Sequence, residues 1–201
     1  MSLQTFLESI GSCSDEELYD VCRKQILHGN PHVFSGDEDK YYEFRKRIAK
    51  KFDLPFHEVF IVGSAKLGYS PHKNTEFSLN SDIDVCIVSA ILYDRFMAKI
   101  ALYQHKLRKS RATITQAEYE MYCSFLEYSV IGWIRPDKIP YSFKLGKLKK
   151  DWFEFFNSIS HGKSEVGNYT VNAGIFKSYE HLEKYIVTGL KDIKIKQKTR
   201  I

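Results

Sequence analysis

Cysteine is scarce in this sequence and shows no pairing pattern. Four residues, at 13, 22, 86 and 123, include no C-x-x-C and no metal-type spacing. That argues against a disulfide framework or a thiolate zinc site and leaves buried free thiols as the expectation, Cys86 in a strand and Cys22 on an apolar helix face. The seven histidines contain no H-x-x-x-H, so a histidine zinc site is not expected either. No repeat or low-complexity tract appears, and no window approaches the ~18 apolar residues needed to span a bilayer. The opening "MSLQTFLESIGSCSDEELYD" lacks the basic start and long apolar run of a secretory signal. These absences together point to a cytoplasmic protein without membrane insertion.

What is present suffices for a packed core. Apolar residues make up 43% of the 201, with 13 Tyr, 14 Phe and 2 Trp among them, so one folded domain is expected rather than a disordered chain. The net charge of +5 is less informative than its distribution. Basic residues gather in "KLGKLKK" (144–150) and "KDIKIKQKTR" (191–200). Such runs serve as solvated helix faces or as attractors for phosphorylated ligands and nucleic acid, and charge alone does not choose between the two.

Periodicity supplies an order of elements. Ser14 and Glu17 form a capping-box pattern ahead of the stripe Leu18, Cys22, Ile26. Tyr41, Phe44, Ile48 and Phe52 mark a second helix, closed before "LPF" because the residue preceding proline is pushed out of helical space. "EVFIV" reads as a buried strand ending at Gly63-Ser64, and "SAKLG" as a short helix. "SDIDVCIVS" alternates, placing Asp82, Asp84, Cys86 and Val88 on one face and Ile83, Val85 and Ile87 on the other. Leu92, Phe96, Ile100, Tyr103 and Leu107 define a long helix. Thr115 and Glu118 cap another, with Tyr119, Tyr122, Leu126 and Val130 along its stripe. "GWIRPDKIP" reads as a loop, "DWFEFFNSI" as an aromatic-packed helix, and "NYTVNAGIF" as a strand. Ser178 opens a closing helix with Leu182, Tyr185, Ile186, Leu190 and Ile193 inside. The expectation is an α+β fold: N-terminal helices (1–53), core strands (54–90), a helical region (91–160), then a final strand and closing helix (165–195), with a small mixed sheet carrying the site.

The chemistry lies in residues 59–89. Asp82 and Asp84 share a strand face roughly 6.5–7 Å apart at Cα. Two carboxylates so placed repel, and a divalent cation relieves that repulsion. Oxygen-only ligation suits Mg²⁺, which takes one or two carboxylates plus waters and substrate phosphates. Two such ions stabilise the attacking and leaving oxygens of phosphoryl transfer. Gly63 lets backbone approach a phosphate closely, Ser64 offers a hydroxyl and an N–H, and Lys66 adds a positive charge. An ordinary strand end and an exposed sheet edge explain each half alone; the combination is far more specific.

"VGSAKLG…SDIDVCIVS" resembles the signature of the DNA polymerase β-like nucleotidyltransferase superfamily, a Gly-Ser turn followed by a D-x-D strand. The nearer likeness is to small bacterial members, including cyclic-oligonucleotide-synthase-like enzymes of anti-phage defence. The specific motif covers 59–89; residues 169–190 fit the later strand and helix loosely. The resemblance implies the nucleotidyltransferase fold and a template-independent transfer of NMP or dNMP from an NTP or dNTP to a hydroxyl. Ser64 with Gly63 would hold the triphosphate, and Asp82 and Asp84 would carry two Mg²⁺, with Mn²⁺ as the alternative. An oligonucleotide product or acceptor, a cognate effector protein and an oligomeric state are compatible with it. Two rivals stand beside this reading: nucleotidylation of a partner protein, as toxin–antitoxin relatives perform, and a catalytically impaired module that senses nucleotides.

The pattern departs in two places. A third carboxylate is usual in the superfamily, yet the inward candidate on "YTVNAGIF" is Asn172, which ligates Mg²⁺ only through a neutral carbonyl and is no general base. Either Glu165 or Glu127 supplies the acid, or two carboxylates suffice, or turnover is lost. The loop "YSPHKNTEFSLN" (69–80) also lengthens the gap between turn and strand, and its His72 and Lys73 are candidates to reach phosphate where a variable surface loop is the plainer reading. Arg135, Asp137 and Lys138 read as a binding rim or a structural turn, and Lys177 as a phosphate contact or a solvated helix start.

Overall fold

A computed structural model of the chain describes residues 1–143, 145 and 147–199; Lys144 and Arg200, from the two basic stretches, lie outside the described residues. Capping side chains start most of the longer helices. Ser2 accepts the Thr5 N–H to begin α1 (Leu3–Ser12), which buries Phe6, Leu7 and Ile10 and precedes the first helix expected from the sequence. The Ser14–Glu17 box is formed, its two bonds 2.6 and 3.2 Å long. It opens α2 (Glu17–Val21), which continues as a π-helical turn through Cys22–Leu27 with Leu18, Cys22 and Ile26 buried. Asp37 caps α3 (Glu38–Phe52), and Asp53, at φ 57°, ends it in the left-handed region.

β1 (Val59–Val62) then runs directly into the single-turn α4 (Gly63–Leu67), closed by Gly68. The segment 69–80, expected to be a loop, holds a small antiparallel pair, β2 (Tyr69–Ser70) with β3 (Thr75–Glu76). β4 (Ile83–Val88) is followed by α5 (Ala90–Arg108) and α6 (Gln116–Val130), the latter opened by the Thr115–Glu118 capping box. "GWIRPDKIP" is not wholly irregular, because Trp133–Ile134 form β5. α7 (Lys147–Ser158), β6 (Val171–Phe176) and α8 (Tyr179–Lys198), capped by Ser178, complete the chain.

The result is an α+β fold on a four-stranded mixed sheet in the order β1-β4-β6-β5. β4 is antiparallel to β1 and parallel to β6, and β5 is antiparallel to β6. The alternation of β4 divides the core. Ile83, Val85 and Ile87 join Val59, Ile61, Val171 and Ile175 in the larger cluster beneath α3, α5, α6 and α7. Cys86 joins Phe176 and Leu182 under α8, with Val62, Val88 and Trp133 around them. α1 in turn packs on α8 through Phe6, Ile10, Leu190 and Ile193. Phe52 locks α3 to α7, its ring 5.0 Å from Trp152 and 5.8 Å from Phe156; such pairs add about 0.5–1.5 kcal/mol beyond area burial.

Two stripes differ from expectation. On α6 the buried positions are Tyr122, Phe125 and Ser129, while Tyr119, Leu126 and Val130 are exposed. The helix is rotated so that Phe125 points inward and the Tyr93 hydroxyl donates to the Ser129 carbonyl. On α8, Leu182, Leu190 and Ile193 are buried but Tyr185 is 40% exposed, at the edge of the stripe. Both buried cysteines, 22 and 86, are free thiols, as are Cys13 and Cys123. Among the described residues no helix is long and apolar enough to cross a membrane.

Candidate functional site

The site begins where β1 ends. Val62 is extended (φ −127°, ψ −172°), and the chain reverses into α4 through Gly63 at φ +66°, a conformation that L side chains rarely adopt. A Cβ on Gly63 would lie 2.9 Å from Asp84 Oδ2, closer than real Cβ contacts permit. Glycine therefore does two things here: it turns the chain and leaves space for the carboxylate. Ser64 is half-buried just beyond it, and its carbonyl accepts the Gly68 N–H. α4 is one turn long, so its dipole contributes little. The useful donors at this corner are individual groups, above all the Ser64 hydroxyl, which has no hydrogen-bond partner among the described residues.

Strand register brings the remaining groups together. Val62 pairs with Asp84, and Asp84 pairs with Asn172, so the Gly63 corner, Asp84 and Asn172 lie side by side across three strands. Asp82 precedes β4 by one residue, and period-two alternation puts it on the face of Asp84. Asp82, Asp84 and Asn172 are all open to solvent.

Asp84 is open to solvent, yet protein atoms crowd around its carboxyl group. Burial first, then the neighbouring negative charge of Asp82, pushes its pKa up to about 6. The positive charges of Lys73 and Arg135 act in the opposite direction, which places both side chains within electrostatic reach. Lys73 comes from the turn joining β2 to β3. Arg135 follows β5, pairs with Asp137 at 2.9 Å, and rests against the rings of Tyr128 and Trp133 at 5.0 and 5.3 Å. Tyr185 of α8 packs at a tilt against Trp133, the ring centroids 4.5 Å apart, and lies near enough to feel the charges of Arg135 and Asp84. A carboxylate pair with a basic and aromatic rim is thus assembled at one end of the sheet.

Other residues singled out in the sequence are directed elsewhere. Lys66 is buried, and its ammonium donates to the His28 and Gly29 carbonyls, the latter at 2.6 Å. Burial alone brings its pKa down to about 8, with no contribution from Asp82 or Asp84, so it braces α4 rather than facing the carboxylates. Lys177 follows the far end of β6 from Asn172 and lies over the Tyr93 ring at 5.6 Å. Glu165 pairs with Arg47, and Glu127 is exposed on α6; neither charge acts on Asp84. His72 packs against Gly189 of α8. Tyr128, Trp133 and Tyr185 were not foreseen. The Arg135 rim and the aromatic content of "GWIR" were the available signals, but the strand that presents them is only two residues long.

The donor set fits a hard divalent cation. Among the described residues no three His, Cys, Asp or Glu side chains converge. A cation held here would rest on the carboxylates of Asp82 and Asp84 and the amide oxygen of Asn172, with water or ligand oxygens completing its shell. Comparison of the chain with protein-family models, with curated proteins and with solved structures finds no match.

Proposed function

We propose that this protein is a Mg²⁺-dependent nucleotidyltransferase of the polymerase β-like type, moving a nucleoside monophosphate from a nucleoside triphosphate to a hydroxyl. One observation carries the reading: the register Val62–Asp84–Asn172, with Gly63 held at positive φ against the Asp84 carboxylate. A glycine-cleared corner beside paired acids suits a phosphate chain with an accompanying cation better than it suits a structural edge, where exposed like charges gain nothing.

In this reading Gly63 and Ser64 receive the triphosphate, while Lys73 and Arg135 offset its charge from the rim. Asp82 and Asp84 would hold the metal with Asn172 beside them; when bound, it neutralises developing charge on the phosphate oxygens. The acceptor oxygen forms a bond to the α-phosphorus, the bond to the bridging α–β oxygen breaks, and pyrophosphate leaves. Asn172 accepts no proton at neutral pH, so the hydroxyl proton passes to an aspartate or to water. Tyr185, exposed beside Asp84, offers a ring face next to the reacting groups.

Incubation of the protein with labelled NTPs or dNTPs and Mg²⁺ tests this. Soluble oligomers or labelled short products support the reading, and Asp82→Ala with Asp84→Ala abolishes them. A labelled protein band redirects the acceptor to a polypeptide. The neutral Asn172 favours one alternative specifically, a nucleotide-sensing module, which binds triphosphate and releases no pyrophosphate. A role in anti-phage defence is part of the proposal and rests on the sequence likeness alone.

A further inference from the structure

A small hollow lies between the turn joining β2 to β3 and the C-terminal half of α8. Leu7, Pro71 and Ile193 line it with His72, Lys73, Asn74, Lys196 and Gln197. Its volume is about 80 Å³. That is several times what one water requires and well below the roughly 300–1,000 Å³ of a site for a drug-sized molecule, so a phosphate group fits and a nucleoside does not.

Lys73 and Lys196 supply its positive charge. The neighbouring lysines of α8 are matched: Lys184 with Glu180 at 2.6 Å, and Lys191 and Lys194 with Asp15 at 2.7 and 3.5 Å. Lys73 and Lys196 have no carboxylate within ion-pair distance among the described residues. His72 also lines the hollow, packed against Gly189 of α8, its pKa lowered by burial and then by the Lys196 charge, with Asp192 acting the other way. It is therefore a neutral hydrogen-bonding group at neutral pH. Two unmatched ammonium groups, a neutral imidazole and two amides around a small hollow select an anion. Lys73 also belongs to the rim of the first site, where its charge reaches Asp84.

We propose that this hollow binds a phosphate on the acceptor side: a phosphodiester of a short oligonucleotide whose terminal hydroxyl is directed toward Asp84. The inference rests on the nucleotidyltransferase reading for the role of the strand, though not for its binding. The donor's triphosphate has its own place at Gly63–Ser64. The Lys73 link between the two regions suits a chain leading from the hollow to the carboxylates.

The test measures fluorescence anisotropy of the intact protein with a labelled four-nucleotide RNA and its DNA counterpart, without divalent cations, across a salt series. A parallel titration uses a non-hydrolysable ATP analogue. Wild type binds the oligonucleotide, and Lys73→Ala with Lys196→Ala weakens binding and makes the log Kd–log salt slope shallower by about 0.7, the value for one phosphate of a single strand. Lys24→Ala leaves the slope unchanged, and Lys196→Ala alone, outside the rim of the first site, weakens the oligonucleotide while keeping its affinity for the ATP analogue. The proposal is overturned if wild type binds no oligonucleotide, if the double variant matches wild type, or if Lys196→Ala weakens the ATP analogue alone, which would assign the phosphate to the donor. If the oligonucleotide results hold while no NTP is ever turned over, the catalytic reading fails and the hollow stands. If turnover persists but the oligonucleotide arm fails, the reverse is true.

Discussion

Gly63→Ala separates backbone strain from site chemistry. An L-residue in the left-handed region costs about 1–2 kcal/mol, and alanine returns about 0.4–1 kcal/mol by restricting the unfolded chain. The net loss is about 1 kcal/mol, which for a protein of this length lowers Tm by about 2–4 °C. Gly36→Ala is the matched control, since Gly36 has φ +80° and nothing within 4 Å of its would-be Cβ. At Gly63 the new methyl would stand 2.9 Å from Asp84 Oδ2, the far end of a side chain that can rotate away. The clash therefore appears as a displaced carboxylate and not as a large extra loss of stability. Thermal unfolding should show similar losses for the two variants, while Mn²⁺ binding and NTP turnover fall only in Gly63→Ala. Equal metal binding by both variants would refute the reasoning, because the close approach would then have no consequence for Asp84.

Asp84→Asn removes a charge the fold penalises. The folded pKa lies near 6, above the ordinary 3.8, so wild type loses stability as pH rises from about 4 to about 6. The variant should melt higher than wild type at pH 7.5 and equal to it at pH 4, and divalent cation should narrow the gap; a gap independent of pH contradicts the assignment. Asn172→Asp adds a like charge opposite Asp84, costing about 0.5–1 kcal/mol and about 1–4 °C without metal, with recovery and tighter Mn²⁺ binding when metal is added. If calorimetry shows no change in Mn²⁺ affinity, residue 172 does not share the cation. Lys66 has a folded pKa near 8 against 10.5, so wild type gains stability from pH 8 to 10.5 as the folded lysine loses its proton first. Lys66→Met lacks that gain, and parallel pH–Tm curves would dismiss it.

Much of the fold could be read from local signals. The capping boxes at Ser14–Glu17 and Thr115–Glu118, the Ser178 cap and the alternation of residues 82–88 each involve neighbours in sequence, and the structure has them all. Pairing information was harder to read. β5 is two residues long and is a strand only because β6 lies beside it, and the β2–β3 ladder is equally short. α1 precedes the point where the first clear cap was sought, and its stripe makes sense only once α8 is there to receive Phe6 and Ile10.

At the site, Gly63, Asp82, Asp84 and Asn172 were legible because turn chemistry and period two fix their directions. Lys66 was not, since its long side chain reaches carbonyls 37 and 38 residues away in sequence. Arg135 and Lys73 could be listed from sequence as candidates, but which of them approaches Asp84 depends on how β5 and the β2–β3 turn dock. Tyr185 lies at the boundary of its helix stripe, where periodicity does not distinguish a core ring from one lining a cleft.

The most direct trial is calorimetric titration of Mn²⁺ into the protein with a non-hydrolysable nucleoside triphosphate present, for wild type, Asp82→Asn and Asp84→Asn. The account predicts saturable uptake by wild type that requires the nucleotide for full affinity and drops sharply in both variants. Uptake of equal strength in all three proteins, or none in wild type, would contradict it.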